Sequence, residues 1–165
     1  INQFSPKISE IEILIRSGES IRLEFKSTLR RNLYTNASDS KIEHAALKSI
    51  VAFLNTEGGT LIVGVRDNGD IVGIQEDMFD TEDKYLLHFS NLVNENIGKQ
   101  YTNLISWNLY EIGNLNVLRV DCTKSSSPVF LKMKGQEEFF IRTGPSTVSL
   151  SASELLEYSK KHFPK

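Results

Sequence analysis

The spacing of apolar residues divides the chain into helical and extended stretches. Ile8, Ile11, Leu14 and Ile15 fall near one stripe, so residues 8–16 are expected to form a short helix ended by Ser17-Gly18. In IRLEFKS, 21–27, the period changes to two. Ile21, Leu23 and Phe25 would point one way and Arg22, Glu24 and Lys26 the other, a half-buried strand with a charged outer face. Residues 29–41 are polar and basic at their start, a loop by composition. Residues 1–7 and 28–40 are expected to be the most mobile parts. Over residues 40–55, Ile42, Ala45, Ala46, Ser49, Ile50, Phe53 and Leu54 make one amphipathic helical face. Gly58 and Gly59 then cap the helix and turn the chain into TLIVGV, 60–65, a continuous apolar run that reads as a central strand. RDNG, 66–69, reads as a turn and DIVGI, 70–74, as a returning strand.

Tyr85, Leu86, Phe89, Leu92, Val93 and Ile97 predict a further helix over 80–98, closed by Gly98. Strand patterns follow at 103–112 and 116–123, joined through Gly113-Asn114. PVFLKM and EEFFIRT flank Lys134-Gly135-Gln136 as another hairpin. Ser151 and Glu154 form an S-x-x-E capping box for a last helix running to about His162. Paired hairpins, rather than regular strand–helix–strand repeats, predict an α+β fold with a mixed or antiparallel sheet. Residues 1–16 read as a lead-in with one helix and 17–165 as a single domain. The chain of 165 residues begins with Ile1 rather than Met, so it is expected to be a piece of a longer protein.

Composition narrows the chemistry. The net charge is −2, so any surface for a polyanion has to be a local patch. Cys122 is the single cysteine, which excludes an internal disulfide and a cysteine metal cluster and fits a reducing compartment. The longest apolar runs fall far short of about 18 residues, so no membrane span is expected, and a soluble cytoplasmic protein is the default.

The glycines at 58–59 do not form a phosphate loop. The order is helix, glycines, strand, the reverse of what such a loop needs, and neither G-x-x-x-x-G-K-[ST] nor G-x-G-x-x-G occurs. Arg16, Arg22, Lys26, Arg30 and Arg31 cluster near the alternating strand, with Lys41 and Lys48 following. With Tyr34 they could track a phosphate backbone while the tyrosine stacks on a base; a solvated strand face paired to Glu24 is the plain alternative. The 66–69 turn would bring Arg66 to the same charged face. Arg142, at a strand end, is either an anion contact or a structural clamp. Glu19, Glu24 and Asp67 could together hold Mg²⁺ or Mn²⁺, although three scattered carboxylates are ordinarily solvated and Asp67 has a turn-forming explanation. His44 is either a general base or a boundary residue beside the core.

Taken together, GESIRLEFK at 18–26, AFLNTEGGTLIVGVRDNGDIVGI at 52–74 and FFIRTGPST at 139–147 resemble the Schlafen AlbA_2 domain family, in its order and over about residues 17–162. The resemblance implies a compact nucleic-acid-binding module, DNA-binding or regulatory in bacterial and archaeal members, within a larger regulatory or defence protein. Some relatives carry an ATP-binding label; the missing phosphate loop argues against ATP here. In animal Schlafen proteins a pair of related lobes cleaves tRNA with three acidic residues and a divalent metal. Carried onto this chain, those positions are Glu19, Glu24 and Asp67, with Lys26 helping to neutralise the phosphate. Arg66 stands where many relatives have a further acidic residue. The resemblance therefore implies a binding module contacting DNA or RNA through Arg22, Lys26, Arg30, Arg31, Lys48, Arg66 and Arg142. Its alternatives are a Mg²⁺- or Mn²⁺-dependent endoribonuclease and an oligomerisation module pairing with a second copy.

Overall fold

Apolar residues facing both ways from one short sheet organise the chain. A computed structural model describes residues 9–164. The sheet has four strands in the order β1 (Leu23–Lys26), β4 (Gly59–Val63), β6 (Leu115–Cys122) and β5 (Ile105–Ile112). Strands β1 and β4 run parallel, with Lys26 opposite Val63; β4–β6 and β6–β5 are antiparallel. The fold is α+β with a mixed sheet, as the hairpin-rich pattern predicts. The expected mobility of residues 1–7 lies outside the described residues.

One sheet face carries Leu23, Phe25, Ile62, Val65 and Val117. It is covered by helix α1 (Glu10–Ser17), which buries Ile11 and Ile15 there. The other face carries Leu61, Val63, Leu118 and Val120 beneath α2 (Ser40–Leu54) and α3 (Glu82–Val93). Because β4 is covered on both faces, its sequence is apolar without alternation. Helix α2 lies deepest. Leu47, Ile50, Phe53 and Leu54 are fully buried, each worth roughly 1.5–3 kcal/mol of apolar burial. Asp39 caps its start by accepting from the Lys41 N–H.

The glycine pair acts as predicted. Gly58 donates its N–H to the Phe53 carbonyl at 2.9 Å and takes φ 75°, where a Cβ would sit 2.7 Å from the Cys122 carbonyl oxygen. After α3 the chain passes through a π turn, Asn94–Gly98, and a 3₁₀ turn, Lys99–Leu104, so the predicted 80–98 helix is α-helical only to Val93. Past the sheet come two short hairpins. In the first, β7 (Leu131–Met133) pairs with β8 (Gln136–Glu138). In the second, β9 (Phe140–Thr143) pairs with β10 (Ser146–Ser149). The sequence pattern had merged β8 and β9 into one strand. Helix α4 (Ala152–His162) closes the chain with the expected capping box between Ser151 and Glu154.

Three further expectations change. DIVGI is not a returning strand: Val65 and Ile71 make one isolated bridge, Gly64 accepts the N–H groups of Val72 and Gly73, and Ile74–Asp77 is a 3₁₀ turn. Strand β4 instead takes β6 as its neighbour, a long-range pairing invisible to local alternation. Ile21 is 40% exposed, because the strand starts only at Leu23 after a turn at residues 20–22. The 28–40 stretch is a hydrogen-bonded structure rather than an open loop. It contains a two-residue hairpin, β2 (Arg31–Asn32) with β3 (Ala37–Ser38), and its root is pinned to Asp77.

Candidate functional site

The two parallel strands end on the same side of the sheet. Residues leaving their carboxyl ends, with the β2–β3 hairpin and the first turns of α2, enclose a groove of about 480 Å³. Lys26 comes from β1, Arg31 from β2, Lys41 from α2 and Arg66 from the segment after β4. No aspartate or glutamate is among the residues that line it. Leu33, Ile42 and Ala45 supply apolar floor, and Tyr34 stands at the mouth, 98% exposed.

The hairpin beside the groove is held by its own polar groups. Asn32 Oδ1 accepts the N–H groups of Tyr34 and Thr35, and Asn36 returns its N–H to the Asn32 carbonyl at φ 57°. At its root, the buried Asp77 carboxylate accepts three successive backbone N–H groups: Leu29 at 2.7 Å, Arg30 at 2.8 Å and Arg31 at 3.0 Å. Burial nevertheless raises the Asp77 carboxyl above the ordinary aspartate value, with those N–H groups and Arg30 pulling the other way. Sequence reading missed Asp77; it lies 46 to 48 residues from its partners, and nothing local to it signals them.

An acidic edge adjoins the groove through Lys26, whose Nζ lies 3.0 Å from Glu24 Oε1. Glu24 Oε2 in turn accepts from Arg142 Nη1 at 2.7 Å. Glu24 was expected on a solvated strand face. It is buried, because Arg142 of β9 reaches over that side of β1, itself packed against Phe53 of α2. Arg142 resolves as the clamp of its two alternatives. Its guanidinium is fully buried, donates to the carbonyls of Ser20 and Leu23 and to Thr147 Oγ1, and sits 4.9 Å from the Phe53 ring centroid. Glu19 Oε1 accepts the Phe25 N–H at 3.0 Å. The Glu19 carboxyl is raised above its ordinary value, first by burial and then by the negative charges of Glu24 and Asp67, against the Phe25 N–H and Lys26. Glu19 thus feels the negative charges of both Glu24 and Asp67. Among the described residues, however, no three His, Cys, Asp or Glu side chains are gathered closely enough to hold a metal ion. With Glu24 committed to two cations and Glu19 to a backbone N–H, the acidic edge as it stands does not fit a metal.

The other expected contacts lie around this centre. Arg30 is turned from the groove: its Nε and Nη2 donate to the carbonyls of Asp77 and Met78, and it stacks 3.5 Å over the Phe79 ring. Lys48 sits away from the groove, 5.7 Å over Phe140. Arg22 and Arg66 are exposed. His44 pairs with Glu138 at 2.7 Å and His88 with Glu43, bonds that tie α2 to β8 and to α3. Lys41 was noted in the basic run but is a fuller member of the groove than Arg22 or Lys48.

A family model described as "Schlafen, AlbA_2" matches residues 19–151. Two solved structures share the fold. One is the DIP2311 protein from Corynebacterium diphtheriae, 18% identical with a TM-score of 0.62 over 94% of this chain; the match spans only 32% of that protein. The other is the N-terminal domain of a protein from Nitrosomonas europaea described as related to the ATP-dependent DNA helicase RecG. It is 19% identical with a TM-score of 0.53, over 82% of this chain and 88% of that one. No curated protein sequence matches this chain. Among the described residues no helix is long and apolar enough to cross a membrane.

Proposed function

The chain belongs to the Schlafen AlbA_2 family, and from that premise we propose that it is a nucleic-acid-binding module of a larger regulatory or defence protein, with the basic groove as its contact surface. The observation that carries this reading is the convergence of Lys26, Arg31, Lys41 and Arg66 without a lining carboxylate, in a chain whose net charge is −2. Four cations from four separate segments meeting in one concavity concentrate positive potential where the whole molecule has none to spare. A polyanion entering there exchanges condensed counterions for fixed ammonium and guanidinium groups. The name of the Nitrosomonas europaea relative, which refers to a DNA helicase, points the same way. DNA and RNA both satisfy this chemistry.

Fluorescence anisotropy with labelled DNA and RNA oligonucleotides tests it. Affinity should fall with salt, with a slope in log K against log salt of about −3 if each of the four cations displaces one counterion. Arg66→Ala or Lys41→Ala should each weaken binding and reduce that slope by about 0.7–0.9. Absent binding, or binding indifferent to salt, would remove this reading.

A second reading, RNA cleavage at the acidic edge, has one observation in its favour: the raised Glu19 carboxyl, which feels Glu24 and Asp67 near the basic groove. Glu24 would first have to leave Arg142 or Lys26. If the wild-type chain cleaves structured RNA with Mn²⁺ and Asp67→Asn binds RNA but does not cleave it, the second reading gains. No cleavage with any divalent cation removes it.

A further inference from the structure

Tyr34 is the residue that the fold itself explains least. It is 98% exposed, yet the turn that carries it is tightly built. Asn32 braces it from inside the hairpin, and Asp77 fixes the hairpin's root with three N–H bonds. The backbone that carries the ring is already ordered, so binding would have only the side chain left to fix. Beside it the groove is not a flat cationic strip. Its floor is apolar, from Leu33, Ile42 and Ala45, and its volume of about 480 Å³ lies within the range of ligand pockets. Arg31 on its wall has a buried Nε–H with no acceptor among the described residues.

We propose that the groove accepts one unpaired nucleotide of a single-stranded nucleic acid, with the phosphate on Lys26, Arg31, Lys41 and Arg66 and the base stacked on Tyr34. The proposal rests on the binding function above and narrows it. In a duplex the faces of each base are covered by its neighbours, so a lone exposed ring finds nothing to stack on. A duplex could use the cations but not the apolar floor. A single strand offers all three parts: phosphate for the rim, sugar and base edge for the floor, and a free π-face for the tyrosine.

The test titrates the full chain with a labelled single strand and with the duplex of the same sequence, using wild type, Tyr34→Ala and Tyr34→Phe. Because Tyr34 makes no buried contact, all three should unfold at the same temperature. The expected result is preference for the single strand and a loss of about 5- to 100-fold in single-strand affinity for Tyr34→Ala. Tyr34→Phe, which keeps the ring, should restore it, and duplex binding should not change. A 2-aminopurine base in the strand should be quenched on binding wild type and not on binding Tyr34→Ala. Equal loss for both forms in Tyr34→Ala, no loss for either, or preference for the duplex overturns this inference while leaving the nucleic-acid-binding function standing. If wild type binds neither form, both fall together.

Discussion

Glu24 sits in a phrase, IRLEFKS, that alternates cleanly, and alternation reads a charged strand face as solvent. The partner that covers that face arrives 118 residues later, so its burial could not be read locally. Breaking the pair should therefore cost what a buried charge costs. Arg142→Ala leaves Glu24 with Lys26 alone and should destabilise the chain by about 3–5 kcal/mol in urea unfolding. Replacing both residues with apolar ones of similar volume should lose much less, since no unpaired charge remains. The Glu19 carboxyl gives a second residue-scale prediction. Its folded value lies above its ordinary value of 4.5, so the folded chain holds that proton more tightly than the unfolded chain does. Its contribution to stability is complete below the ordinary value and is lost as pH rises through the raised one. Asp67→Asn removes one of the charges that raise it. Carboxyl NMR titration should then show Glu19 titrating lower than in wild type; an unchanged midpoint would mean that Asp67 does not act on it.

Among elements, local patterns were legible where one residue's neighbours in sequence are also its neighbours in space. The α2 periodicity, the apolar run of β4, the Gly58-Gly59 turn and the Ser151–Glu154 box all belong to that kind. DIVGI failed because strand pairing is decided by what else competes for the edge, and β6 wins it. The groove was half legible: its basic residues stood out, but which of them converge depends on the β2–β3 hairpin and Asp77, and neither has a local signature. Asn55 is the joint between elements that the same reasoning exposes. Fully buried at the end of α2, it donates through Nδ2 to the carbonyls of Val129 and Phe140 and accepts the Val129 N–H. Asn55→Ala would orphan those three backbone groups, and should cost about 2–4 kcal/mol in unfolding free energy. Asn55→Asp, which keeps the acceptor and loses the two donors, should fall on the destabilised side as well. A near-neutral Asn55→Ala would show that water replaces the side chain there.

At the scale of the whole molecule, the balance of charge separates two kinds of basic residue. Arg30, Arg142 and Lys48 lean on carbonyls, a carboxylate and aromatic rings, and work inside the fold. Lys26, Arg31, Lys41 and Arg66 meet at one groove; Lys26 also pairs with Glu24 at its edge, and Lys41 and Arg66 are exposed. The family assignment leaves open where a nucleic acid would rest; the groove is the proposed place, and it can be checked residue by residue. The most direct check is to titrate the ¹⁵N-labelled chain with a single-stranded oligonucleotide and follow its amide resonances. The account predicts that shifts concentrate at residues 26–34, at Lys41 to Ala45 and at Arg66, and that they recede as salt is added. Shifts that leave those residues unmoved and gather elsewhere, for example along the outward positions Ser106, Asn108 and Tyr110 of β5, would contradict it.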